Sequence, residues 1–170
     1  MKVFLKYLNG KTSASGTAEI EEVAAEIDPS GINYDSQNVM IKISSKTVTL
    51  PVIGALSVPF SNLLNLTLNG TFVADDSTDA SVIKTAIDKY RAYHKVTLEF
   101  DSADLTVMVN DSPASSGDSF YAADNGTLAV GASPVTEGKT VSATATVGTY
   151  VSGTGLTKIT ADSILTFTVA

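Results

Sequence analysis

Few residues of this chain have the type and spacing to do chemistry. The most suggestive segment is Ser133-Pro134-Val135-Thr136-Glu137-Gly138-Lys139-Thr140, which ends in the Gly-Lys-Thr of a phosphate-binding loop. Ser133 stands where such a loop needs its first glycine, the residue that lets backbone amides curl around phosphate. The following Val141-Ser142-Ala143-Thr144 has the composition of a strand, not of the helix whose N-terminus would hold the anion. The segment is therefore expected to be a hairpin turn. His94 is the single histidine. A histidine base would need a serine nucleophile, and no Gly-x-Ser-x-Gly elbow is present. Asp75, Asp76 and Asp79 cluster in one polar stretch, and Asp101 and Asp104 in another. Calcium wants several oxygens from one tight loop, but neither cluster has alternate-residue spacing and a closing glutamate. Helix capping and solvated turns account for these acids. Paired carboxylates for sugar hydrolysis would sit among aromatic platforms, yet the chain has no Trp, six Tyr and six Phe. Tyr90 and Tyr93 flank Arg91, the lone arginine, and fit core packing better than base stacking. No catalytic residue, metal or cofactor is expected.

Composition points the same way. The 170 residues are 44% hydrophobic and only 17% charged, with long runs of Val, Ile, Ala, Ser and Thr. That palette belongs to a sheet protein with lightly polar faces. The absence of Cys excludes disulfides, thiolate metal sites and a cysteine nucleophile. The net charge is −7, and beyond residue 95 only Lys139 and Lys158 stand against eight acids. Without a basic stripe, specific nucleic-acid binding is not expected. Lys6 interrupts the N-terminal apolar run too early for a signal-peptide core, and no stretch approaches the ~20 apolar residues of a membrane span. A soluble protein made in the cytoplasm is expected.

The elements that would position these residues read as mainly β with one or two helices, an α+β chain. Val3 to Leu8 reads as a strand closed by Asn9-Gly10. Ile20, Val23, Ala24 and Ile27 recur at helical spacing with Glu21, Glu22 and Glu26 between them, which predicts a helix from Thr17 to Asp28; a bent strand is the competing reading. Val39, Ile41 and Ile43 alternate, Ser45-Lys46 turns the chain, and Val48, Leu50 and Val52 alternate again as a hairpin. Pro51 to Leu64 is apolar but broken by Pro51, Gly54 and Pro59, so a loop is predicted that needs a partner to cover it. Pro51, Val52, Ile53, Leu56, Val58, Pro59 and Phe60 are the candidate assembly residues. Leu64 to Ala74 alternates around Asn69-Gly70.

The clearest helix spans Asp79 to His94. Ile83, Ala86, Ile87, Tyr90, Tyr93 and His94 mark its buried face, Thr78 or Asp79 caps it, and Lys84 and Asp88 sit four apart on the outer face. Val96 to Phe100 and Leu105 to Val109 are expected to pair around Asp101 to Asp104. Ser112 to Ser119 reads as a loop. Further strands follow at Thr127 to Val130, Val141 to Val147, Tyr150-Val151 and Ile164 to Val169. An antiparallel sandwich or barrel-like sheet with the helix packed on it is expected. Residues 1–170 form one domain, with residues 120–170 as a possible small β lobe.

This order resembles tailed-bacteriophage virion proteins, particularly the tail-tube family. The resemblance rests on a strand into a polar link (Leu64 to Thr78), a single helix (Asp79 to His94), and immediate return into strands (Val96 to Val109). It extends to the apolar segment Pro51 to Leu64, in the place of a subunit-joining loop, and to the Ser/Thr/Ala-rich ending. It covers about residues 38–150 at the level of architecture and carries over no functional residue. It implies a non-catalytic virion subunit that forms homo-oligomers with copies of itself and with other virion proteins, as a tail tube or a capsid decoration protein. A carbohydrate- or cell-surface-binding β module is the alternative.

Overall fold

The computed structural model describes residues 1–43 and 54–170. The fold is mainly β, with one α-helix among the described residues, as the sequence predicts. The chain divides into two compact units, Met1–Arg91 and Ala92–Ala170.

In the first unit, β1 (Lys2–Thr12) turns through Ser13–Thr17 into β2 (Ala18–Glu26). β3 (Ile32–Tyr34), β4 (Asn38–Ile43) and β5 (Gly54–Pro59) form one antiparallel sheet in that order. β6 (Leu63–Leu68) and β7 (Thr71–Ala74) join the first hairpin in a four-stranded antiparallel sheet ordered β2-β1-β6-β7. Asn69 and Gly70 both have positive φ, 50° and 76°, as the two-residue turn between β6 and β7 requires. The helix α1 (Ala80–Arg91) packs against β3 and β7, one strand from each sheet. Ile83, Ile87 and Tyr90 are its buried residues, three of those expected from the 3.6-residue period.

The predicted helix from Thr17 to Asp28 is instead strand β2. Val23, Ala25 and Ile27 alternate into the core, while Ile20 stays 52% exposed on the opposite face. Pairing with β1 over its length, from Leu8↔Ile20 to Lys2↔Glu26, overrides the local helical period. The predicted loop from Pro51 to Leu64 is also corrected where it is described: Gly54–Pro59 is β5, paired with β4, and Phe60–Asn62 is a 3-10 turn. Pro59 does not break the strand. The Phe60 amide donates to the Gln37 carbonyl, so residues 54, 56 and 58 bond to β4 and position 59 turns its nitrogen away from the ladder. The predicted hairpin turn at Ser45-Lys46 and its returning strand lie outside the described residues.

The second unit is all β. β8 (His94–Glu99), β11 (Ser119–Ala122), β14 (Val141–Ala145) and β17 (Ser163–Val169) form a sheet ordered β11-β8-β17-β14, in which β8 and β17 run parallel. β9 (Leu105–Val109) lies between β10 (Ser112–Ala114) and β13 (Val130–Pro134). β16 (Gly155–Ile159) lies between β12 (Gly126–Leu128) and β15 (Thr149–Val151). Contrary to expectation, β8 and β9 do not pair with each other; they enter different sheets. Residues 120–170 are no free-standing lobe, because β17 completes the sheet of β8 and β13 that of β9. All these strands share one core, which includes Val96, Leu98, Val107, Leu156, Leu165 and Phe167. Tyr150 meets the Phe167 ring edge-on at 5.2 Å between centroids. Among the described residues, no helix is long and apolar enough to cross a membrane.

Candidate assembly surfaces

Of the candidate assembly residues, Pro51, Val52 and Ile53 lie outside the described residues. Leu56 and Val58 share the inward face of β5, opposite Ile41 and Val39, and Val58 is buried at 1% exposure. Val58 therefore belongs to the core of the first unit and is not part of a contact surface. Pro59 is exposed and Phe60 half-buried at the end of the strand. What the described part of this segment, Gly54 to Leu64, offers outward is a strand whose Ala55, Ser57 and Pro59 are exposed, in place of the apolar loop expected.

Most of the chemistry-bearing residues have close hydrogen-bond partners within the chain. His94 does not end the helix but opens β8, where Nε2 lies 2.8 Å from Oδ1 of Asp124. Asp75 Oδ1 accepts from the Ser77 amide at 3.0 Å and its hydroxyl at 2.6 Å. Asp79 Oδ1 accepts from the Ser81 amide at 2.8 Å and its hydroxyl at 2.6 Å, capping α1. These bonds favour the ionised form and hold both carboxyls below their ordinary pKa. Asp101 likewise accepts from the Ala103 amide at 2.9 Å. No group of three or more potential metal ligands is found among the described residues. Gly138-Lys139-Thr140 is a turn, with Gly138 at φ 84°, and strand β14 follows it. It is not a hairpin turn, because β13 and β14 belong to different sheets. Lys84 does not pair with Asp88: its Nζ sits 5.7 Å over the Tyr34 ring, while Asp88 accepts from the Tyr34 hydroxyl and pairs with Arg91 at 3.5 Å.

The sheet edges differ sharply in how they are protected. β2 carries Glu19, Glu21, Glu22 and Glu26. Glu21 is tied down: the Tyr7 hydroxyl donates to it at 2.6 Å and the Asn9 amide at 3.0 Å. Burial, reinforced by this carboxylate, pushes the Tyr7 phenol up to about 12, and the same bonds hold Glu21 below its ordinary value. Charge of this kind blunts an edge. β14 has none. Thr140 and Ala170 exchange both backbone bonds at 3.0 Å, and the Thr146 amide donates to Ile164, so even-numbered residues face β17. The amides and carbonyls of Val141, Ala143 and Ala145 therefore point to the open edge. Among the described residues, β14 is the longest edge strand without a charge or a proline.

No family model, curated protein or solved structure matches the chain.

Sequence reasoning missed the β14 edge as a site. Its only signal was an uncharged Val-Ser-Ala-Thr-Ala between the turn at Gly138 and the turn at Gly148, and which side of a strand is left open depends on sheet order.

Proposed function

We propose that the chain is a non-catalytic structural subunit that self-assembles within a phage particle, as in a tail tube. The observation that carries this reading is the open β14 edge. Three successive outward residues present unpaired backbone donors and acceptors with no charge, proline or bulge to deter a neighbouring strand. Natural sheet proteins blunt such edges unless they use them, and head-to-tail pairing of edges closes rings when the rotation permits. The charge balance also supports it. The second unit holds three lysines against eight acids, a surface that avoids the phosphate contacts by which DNA is held. A capsid-attached decoration subunit uses the same edge without needing a lumen.

Ala143→Pro tests the edge. Position 143 points its N–H away from β17, so proline leaves the existing ladder intact and removes the donor a neighbour would use. The variant should keep its fold by circular dichroism and lose higher-order assembly. Assembly at the wild-type level from a folded Ala143→Pro protein would overturn the use of this edge.

A further inference from the structure

The four-stranded sheet of the first unit has one face in the core and one in solvent. On the solvent face, β1 and β2 place four residue pairs side by side: Lys2 beside Glu26, Phe4 beside Ala24, Lys6 beside Glu22, and Leu8 beside Ile20. The β1 row thus reads basic, aromatic, basic, aliphatic. The β2 row beside it reads acidic, small, acidic, aliphatic. Phe4, Lys6 and Leu8 are half-buried, whereas Ile20, Glu22 and Ala24 are exposed. Lys6 and Glu22 already approach at 3.8 Å. Next to Phe4 lies a depression of about 460 Å³, lined also by Lys2, Ala24, Glu26 and Thr67.

We propose that this face docks onto the same face of a second copy of the chain, about a two-fold axis parallel to the strands and midway between β1 and β2. The axis sets β1 of each copy over β2 of the other. Because the strands are in register, every residue then lies over the partner of its own cross-strand neighbour. Lys2 faces Glu26, Lys6 faces Glu22, Phe4 faces Ala24, and Leu8 faces Ile20. Charge meets opposite charge, and the large ring meets the small side chain beside the depression. This is the self-complementarity an isologous contact requires. Sheets pack face to face about 10 Å apart with strands within about 30° of alignment, which suits this axis. A two-fold running across the strands at the level of Phe4 would instead set Lys2 over Lys6 and Glu22 over Glu26, where like charges repel. The face offers far fewer residues than the roughly 20–30 per side of a stable interface. It is therefore a weak contact, effective where many copies are already held together. The inference rests on the self-assembly reading and names a contact for it separate from the β14 edge.

The test is a charge exchange. One variant carries Lys2→Glu and Lys6→Glu; the other carries Glu22→Lys and Glu26→Lys. Each alone confronts its own kind across the axis and should lose self-association by roughly tenfold or more. Mixed in equal amounts, they should recover it, because the altered β1 row of one variant faces the altered β2 row of the other with opposite charge, and the two unaltered rows face each other as in the wild type. Sedimentation velocity up to about 1 mM reads this range. Variants that keep the wild-type melting temperature but associate as well alone as the wild type overturn the contact and leave self-assembly standing. Folded variants that fail to recover on mixing also overturn it. A wild-type protein that stays monomeric removes self-assembly and this contact together. If the exchanged variants lose their fold, Ala24→Arg, at an exposed position with ample room, carries the test. It should weaken association by a similar factor, and unchanged association overturns the contact.

Discussion

The packing of α1 makes the most quantitative demand on the fold. Ile83 is fully buried between the helix and the sheets of the first unit. Ile83→Ala removes three carbons, worth about 2.4 kcal/mol at ~0.8 kcal/mol per carbon. The incompletely closed cavity brings the loss to about 3 kcal/mol. For a unit of this size each kcal/mol moves the melting temperature by about 4–8 °C, so the expected drop is roughly 12–24 °C. Ile83→Asp should be worse, since it buries a charge with no partner. Differential scanning calorimetry measures the shift, and amide exchange locates it. Protection should fall across the described strands and helix of the first unit and hold in β8 to β17. A drop below about 4 °C, or an equal loss of protection in both units, would refute the placement of Ile83 in the core of the first unit.

Tyr7→Phe should cost about 1 kcal/mol at neutral pH, a charged hydrogen bond discounted for the exposure of Glu21. Glu21 is depressed in the fold, so its contribution is complete above the ordinary glutamate value of 4.5 and is lost as pH falls through the lowered one. Tyr7 is raised, so its contribution is complete below 10.0 and disappears as pH rises through about 12. Urea midpoints measured against pH should therefore be flatter at both ends in Tyr7→Phe; parallel profiles would show the pair to be idle. Gly155→Ala should cost about 3 kcal/mol or more in the second unit, measured by urea unfolding. Its φ is 116°, and an added Cβ would run into the Leu128 carbonyl oxygen and lie 2.7 Å from the Val130 nitrogen. Asp79→Ala should fray the start of α1, read as faster amide exchange at Ser81, whose amide the carboxylate now accepts at 2.8 Å. Unchanged exchange there would show that the cap contributes nothing.

The β-rich class, the helix and its buried face were legible because a long amphipathic period and composition are local properties. β2 was not, because Ile20, Val23, Ala24 and Ile27 fit a helical period by coincidence. Only the neighbouring β1 decides that Val23, Ala25 and Ile27 form the buried row. Strand β16 leaves little signal in the sequence because its alternation is broken: Gly126 pairs with Ile159 and Thr127 with Thr157, leaving Lys158 in a bulge at φ 56°. β5 was hidden by Pro59, whose tolerance depends on lying at an edge. The pairing of β8 with β17 spans most of the second unit, and no spacing rule announces a parallel contact of that separation. The assembly surfaces share this character. Which backbone groups of β14 are open, and which residues stand beside Lys2 and Lys6, follow from register and sheet order, not from any motif.

Mass photometry of the purified chain with negative-stain microscopy tests the proposed self-assembly into a phage structure most directly. Rings or tubes of many copies are the predicted result, and binding only to preformed capsids would place the chain among the decoration subunits. A particle that remains a monomer at high concentration and binds no phage structure would contradict the account.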